Sequence, residues 1–347
     1  MFDIITFGSA TKDITIKPKK LTVLKYDPSS LKATDGQSKE FTSSQGVCFP
    51  LGSKVDIEDI KFSSGGGGTN TAATFAKQGF NVAFCGTIGN DAAGLEIIDE
   101  LKKLKIDTNL VLKTNKRLTN HSIVILNNGQ DRTILTYRGA AELMGRNDIP
   151  WKKLKTRWFY LAPLSGLLCD NFEEIVGFAF KGKIKIAVNP SMAQLSLPRE
   201  ILENIFKKVD VLVLNQEEAS FLTKISYERE DEIFREIDKI CPGIAVMTKG
   251  GEGVVVSDGK YLYRAKPFPE RKIVDTTGAG DSFASGFISG LIRREGDIEK
   301  AIQLGLGNST ACLSEFGAKN GLLSKNSQFK KVKVKKEICD NNLCIIK

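Results

Sequence analysis

The sequence is short of the groups that run most nucleophilic and metal chemistry. It holds one histidine, His121, and its seven cysteines (Cys48, Cys85, Cys169, Cys241, Cys312, Cys339 and Cys344) form no CxxC pair. A histidine-based triad, an HExxH zinc site and a His/Cys deaminase centre are thereby excluded or greatly weakened. An odd, scattered cysteine set indicates neither a zinc site nor a disulfide framework, so the thiols read as reduced. His121 itself reads as an ordinary hairpin residue of a lid. Long hydrophobic runs are lacking too. The longest, such as Ile244 to Met247 and Val209 to Leu214, fall far short of the about 20 residues that cross a bilayer. No signal peptide precedes Phe2, so a cytoplasmic location without a membrane partner is expected. Nor does a Pro/Ser-rich linker, an internal repeat or a low-complexity tract divide the 347 residues, and one large α/β domain with an insertion is the simplest organisation.

What is present is ordinary in amount: 41% hydrophobic and 26% charged residues place the chain among globular proteins rather than disordered or fibrous ones. The net charge of +9 owes much to Lys330, Lys331, Lys333, Lys335 and Lys336. Residues 325–347 are therefore expected to be a solvated basic tail, not a nucleic-acid surface, and a generally positive surface suits a polyanion such as ATP.

The pattern opens with an apolar run, Phe2 to Phe7, which reads as a buried strand ending at Gly8. Residues 14 to 62 mix β-prone pieces with turn signals and read as β insertion and loops. From Gly65 the rhythm alternates: a helix over about Thr69 to Gln78, a strand over Val82 to Ile88, a helix over about Ala92 to Leu104. A hairpin follows, Ser122 to Leu126 and Arg132 to Tyr137, around Asn127-Asn128-Gly129-Gln130. Strands near Trp158 to Leu161, Ile184 to Val188, Val211 to Leu214 and Ile244 to Met247 come next, and the last helices run from about Gly280 to Arg293 and from Ile298 to Glu315. Phe329, Val332 and Val334 suit one edge strand. The sum is a doubly wound sheet, in which ligands bind at the carboxyl ends of strands near a topological switch point.

The sharpest chemistry lies in Asp275-Thr276-Thr277-Gly278-Ala279-Gly280-Asp281, a small-residue turn opening an apolar helix. The amides of Gly278, Ala279 and Gly280 are free of bulky neighbours and can converge on an anion, and the helix dipole adds positive potential. Asp281 at the helix start is placed to accept a proton from a substrate hydroxyl, although a plain cap by Thr277 or Asp281 would account for the same residues. Ser64-Gly65-Gly66-Gly67-Gly68-Thr69-Asn70 lets a ligand approach the main chain, with Asn70 able to bond sugar hydroxyls; by itself the pattern also fits a flexible loop. Gly177 to Ile184 has GxxxxGK spacing but ends in isoleucine where a P-loop needs Ser or Thr, so a P-loop is rejected. Asn215 and Glu218 stand one helical turn apart after a strand, suited to holding Mg²⁺ through water or equally to capping. Thr248-Lys249-Gly250-Gly251-Glu252-Gly253 also follows a strand and reads as a nucleotide loop or a simple turn.

In order, GSATKD, SGGGGTN, GTIGNDAAG, NQEEA, TKGGEG and DTTGAGDSF resemble the pfkB (ribokinase-like) family over roughly Phe2 to Gly321. The resemblance implies a ribokinase-like, mostly parallel sheet flanked by helices, a kinase domain over 1–324, and a small β lid from about 14–62 and 117–141. It implies transfer from ATP, with Mg²⁺, to a hydroxymethyl group. Asp281 would be the base, with Gly278, Ala279 and Gly280 as the anion hole. Asp13, Gly66, Gly67 and Asn70 would hold the acceptor. Asn215 and Glu218 match the Mg²⁺/phosphate motif, and Thr248, Gly250 and Gly253 match the nucleotide loop. Asp275, Thr277 and Gly317 match a region where members bind K⁺. A homodimer through the lid is also implied. Thr11 stands where ribokinases tend to carry Asn, and Trp158 to Ser165 lacks their acidic residue, so the resemblance does not imply ribose itself as the acceptor. A nucleoside kinase is the alternative, with Phe41, Phe49 or Tyr137 stacking on the base, and a non-catalytic sugar or nucleotide regulator is a further one.

Overall fold

Apolar runs of four to six residues, separated by helices that bury one face, assemble a nine-stranded sheet. Its order is Val334–Ile338, Tyr261–Ala265, Val254–Ser257, Ile244–Thr248, Val211–Asn215, Lys185–Val188, Thr156–Leu161, Phe2–Phe7, Val82–Cys85. The computed structural model describes residues 1–25, 45–126, 132–268 and 273–338. From Ile244–Thr248 to Val82–Cys85 neighbouring strands are parallel, which requires helical crossovers and explains strands that are apolar on both faces. The other three strands add on antiparallel. One core layer, with Phe7, Phe159, Phe172 and Phe206, lies on one face; Phe75, Tyr160, Phe283 and Phe287 belong to the layer on the other. Burying each such ring stabilises the fold by about 1.5–3 kcal/mol.

This sheet belongs to the larger of two compact units, Met1–Lys12, Ser64–Asn120 and Arg138–Lys347; the smaller is Asp13–Ser63 and His121–Tyr137. The smaller unit carries a four-stranded sheet in the order Arg132–Tyr137, Asn120–Leu126, Thr11–Pro18, Ile57–Gly65, and a ribbon of Thr22–Lys25 with Gln45–Cys48. The hairpin pairs Arg132 with Leu126 and Tyr137 with His121. Its expected turn, Asn127 to Gln130, lies outside the described residues, as do Phe41, Cys339 and Cys344.

Two expectations are corrected. The run Val82 to Ile88 is not one strand: Val82–Cys85 stays in the main sheet, while Thr87–Gly89 pairs with Leu112–Thr114. Gly86 is the break, where a Cβ would meet the Phe84 ring at 2.5 Å and the Gly8 carbonyl oxygen at 2.6 Å. The C-terminal segment is also more than a solvated tail, since Val334–Ile338 pairs with Tyr261–Ala265 as the outer strand. That strand starts at Val334 and excludes Phe329 and Val332.

Candidate active site

Phe2–Phe7 has Val82–Cys85 on one side and Thr156–Leu161 on the other, so the order of addition reverses beside it. That reversal opens a crevice at the strands' carboxyl ends. Gly8 and Ala162 stand there, and the helix Gly67–Lys77 begins against them. A Cβ at Gly68 would lie 2.6 Å from the Phe84 ring and 3.0 Å from Gly8, so the glycine run is a close-packed helix start rather than a loose loop. A Cβ at Gly67 would lie 3.5 Å from Asp281 Oδ1, which puts the glycine run and the second motif side by side.

Asp281 is in the first turn of the helix Ala279–Arg293. Gly278 precedes it in the left-handed region (φ 76°), a conformation open to glycine. The N-cap residue of this helix, Gly278, makes no side-chain capping bond. Asn70 Nδ2 donates to Asp281 Oδ2 at 2.9 Å. Burial raises the Asp281 pKa from its ordinary value, opposed by the Asn70 hydrogen bond and the Lys319 charge. Asn70 Oδ1 is a buried acceptor with no hydrogen-bond partner, which is uncommon enough to call for a reason. The first amides of any helix lack intrahelical acceptors. Here the Ala279 amide turns back to the Thr276 carbonyl at a long 3.3 Å.

Beside this helix start lies a cavity of about 550 Å³. Asn215, Thr248, Gly250, Gly253, Ala279 and Gly280 line it, bringing three separate motifs to one space. Its apolar wall is Ile273, Phe283, Leu306 and Leu313 with Ser309 and Thr310; the family resemblance reaches Gly305 to Glu315 only loosely and marks neither Ile273 nor Phe283 as lining. The three- and four-residue spacing of Leu306, Ser309, Thr310 and Leu313 was the available signal, since it puts them on one face of the helix Ile298–Leu313. Glu218 is outside that lining: its Oε2 accepts from the Asn215 amide, and Asn215 Oδ1 accepts from the Glu218 amide, both at 2.8 Å. This is a capping box, and burial raises the Glu218 pKa.

Asp275, Thr277 and Gly317 are drawn together. Asp275 Oδ1 accepts from the Thr277 amide (2.9 Å) and hydroxyl (2.7 Å), and its Oδ2 from the Gly317 amide (3.0 Å). Asp13 is buried on Thr11–Pro18 and begins the smaller unit. Phe49 and Tyr137 are exposed residues of that unit. Among the described residues no group of three or more His, Cys, Asp or Glu could hold a metal, and no helix is long and apolar enough to cross a membrane.

Comparison with known proteins gives the same direction. A family model described as pfkB family carbohydrate kinase matches residues 43–325. A ribokinase of Haemophilus influenzae is 25% identical over 287 residues, covering 78% of this chain and 88% of its own length. An adenosine kinase of Saccharomyces cerevisiae is 25% identical over 334 residues, covering 90% and 95%. Among solved structures, Arabidopsis thaliana ribokinase complexed with ribose and ATP superposes with a TM-score of 0.73 at 20% identity, covering 93% of this chain and 96% of that one.

Proposed function

Because the chain belongs to the pfkB family of carbohydrate kinases, whose members transfer phosphoryl groups to alcohols, we propose that it moves the γ-phosphoryl group of ATP to a hydroxymethyl group of a sugar. The observation that carries this reading is the Asn70–Asp281 hydrogen bond, which joins a hydroxyl-binding amide and a carboxylate base at the mouth of an anion-binding turn. Asp281 Oδ1 takes the proton of the acceptor hydroxyl as its oxygen attacks the γ-phosphorus in line. Its pKa, raised by burial, makes it a better proton acceptor than an ordinary aspartate. Gly278, Ala279 and Gly280 face the charge that develops on the transferred group, with the helix dipole behind them. Asn70 Oδ1, with Gly66 and Gly67, holds the acceptor's other hydroxyls, and the part of Asp13 rests on the GSATKD resemblance alone. The nucleotide base rests on Ile273, Leu306 and Leu313, and its phosphates run past Thr248, Gly250, Gly253 and Asn215 toward Gly280.

Glu218 and Asn215 fit Mg²⁺ held through water, because their oxygens are hard donors and only one Glu218 oxygen is used by the capping box. When bound, the ion would neutralise phosphate charge. Asp275, Thr277 and Gly317 are proposed to neighbour a K⁺ site, and turnover is expected to be higher in K⁺ than in Na⁺ at equal ionic strength; equal rates would remove it. The lids are proposed to pair two copies of the chain.

The acceptor is decided by ADP release over a panel of sugars and nucleosides. Turnover on a sugar upholds the reading. Turnover on nucleosides alone would replace it with the reading that the full-length likeness to an adenosine kinase favours. Binding without ADP formation anywhere on the panel would sink both.

A further inference from the structure

Lysine is almost never fully buried unless paired. Lys319 meets that condition: its side chain is only 5% exposed and is paired with Glu100, and none of the motifs includes it. It follows Gly317, whose amide holds Asp275, and Ala318, which packs against the turn so tightly that a Cβ at Gly278 would lie 2.4 Å from its Cβ. From there the Lys319 ammonium donates to Ser64 Oγ at 2.5 Å and to Glu100 Oε2 at 3.3 Å, and Ser64 also bonds Glu100. Ser64 directly precedes the glycine run that places Gly67 and Asn70. The Lys319 carbonyl in turn accepts from Lys77 Nζ at 3.0 Å, at the end of the same glycine-run helix. One residue thus links the turn before the base to the segment that presents the acceptor.

Resting on the kinase reading above, we propose that Lys319 is a positioning residue for the transfer step, a fixed internal cation that keeps Asp281 ionised while clamping the anion turn to the glycine run. The charges facing Asp281 support this. Tyr160 on Thr156–Leu161 and Cys312 on Ile298–Leu313 both interact with Asp281, and burial raises each so that neither carries charge at neutral pH. Asn70, on the glycine-run helix, is neutral. Lys77 on that helix acts on Cys312 and Glu100, and Lys319 is the cation whose charge opposes the rise in the Asp281 pKa. Glu100 tempers the ammonium and is itself partly exposed, at 37%. This predicts two substitutions of opposite sign.

The test is carboxyl-carbon NMR of the full chain labelled at aspartate, with the Asp281 resonance identified by its loss in Asp281→Asn. Lys319→Met should move the Asp281 titration to higher pH, Lys319→Arg should return it toward wild type, and Glu100→Gln should move it to lower pH. With an acceptor from the panel, Lys319→Met should lose about threefold to tenfold more kcat/KM at the acid end of the profile than at pH 8. An Asp281 titration unmoved by Lys319→Met, or moved the same way by both substitutions, would overturn the proposal and leave a purely structural clamp. Should Lys319→Met not fold, Glu100→Gln decides alone, since a downward shift upholds the fixed cation and no shift removes it. Titrations that move as stated in a protein with no turnover would uphold the cation and overturn only the kinase reading.

Discussion

Gly278 and Gly280 stand two residues apart in one turn, yet alanine at each should disturb different quantities. Gly278→Ala forces a side chain into a left-handed conformation, costing about 1–2 kcal/mol, and into Ala318 besides. Its melting temperature should fall by several degrees. A Cβ at Gly280 meets nothing within 4 Å, and Gly280 lines the cavity proposed to hold the nucleotide. Gly280→Ala should therefore melt with wild type and lose about tenfold or more in turnover, as expected for a disturbed anion site; an unchanged rate would remove Gly280 from the phosphate path. Asp281→Asn should lose about 10²–10⁴-fold in turnover with ATP binding retained, measured by ADP release and calorimetry. The same change should stabilise the protein near neutral pH. Because the folded-state pKa of Asp281 is raised, its contribution to stability is complete below the unfolded value of about 3.9 and is lost as pH climbs through the folded value. Melts at pH 8 should favour Asp281→Asn, with the advantage vanishing toward pH 4.

The C-terminal segment makes the corresponding point for a whole element. A Cβ at Gly307 would lie 2.5 Å from the Phe329 ring, Gln303 bonds the Val332 backbone in both directions, and Arg264 reaches Glu337 from the neighbouring strand. Ending the chain at residue 325 should uncover Tyr261–Ala265 and lower the melting temperature by about 4 °C or more while sparing the chemistry. A full loss of turnover in folded, truncated protein would contradict this separation. Lysine-rich composition blurred the strand's position: the sequence suits an edge strand over Phe329, Val332 and Val334, but the strand runs Val334–Ile338, where long cationic stems read as solvated chain. The parallel strands and the late helix were legible for the opposite reason: apolar runs bounded by glycine, and small residues next to an aspartate, carry their meaning within a few residues. The break at Gly86 was not, since the neighbours that impose it, Gly8 and Phe84, act through the fold. The same holds for Lys319, whose partners Ser64 and Glu100 are more than two hundred residues away in sequence. Among the residues that line the cavity, Asn215, Thr248 and Gly253 could be picked out by their place after strands, whereas the apolar wall had only helical spacing and a loose family match over Gly305 to Glu315 to mark it.

For the whole molecule, a net charge of +9 should draw ATP in, so its KM should rise as salt lengthens the list of competing ions and shortens the range of attraction; a KM indifferent to salt would place the excess charge far from the nucleotide path. Ile57, Ile60, Phe62, Ile134 and Leu135 are exposed on the smaller unit, and light scattering should report a dimer that charged replacements at Phe62 and Leu135 dissociate. The arrangement of the large sheet has a further consequence during synthesis. Phe2–Phe7 is made about 150 residues ahead of its second neighbour, Thr156–Leu161, a delay of roughly 8–30 s at ordinary translation speed. Through that interval a greasy ribbon with a bare flank must be kept from other nascent chains, so yield in cells should depend on chaperone supply well before it depends on the finished enzyme's stability.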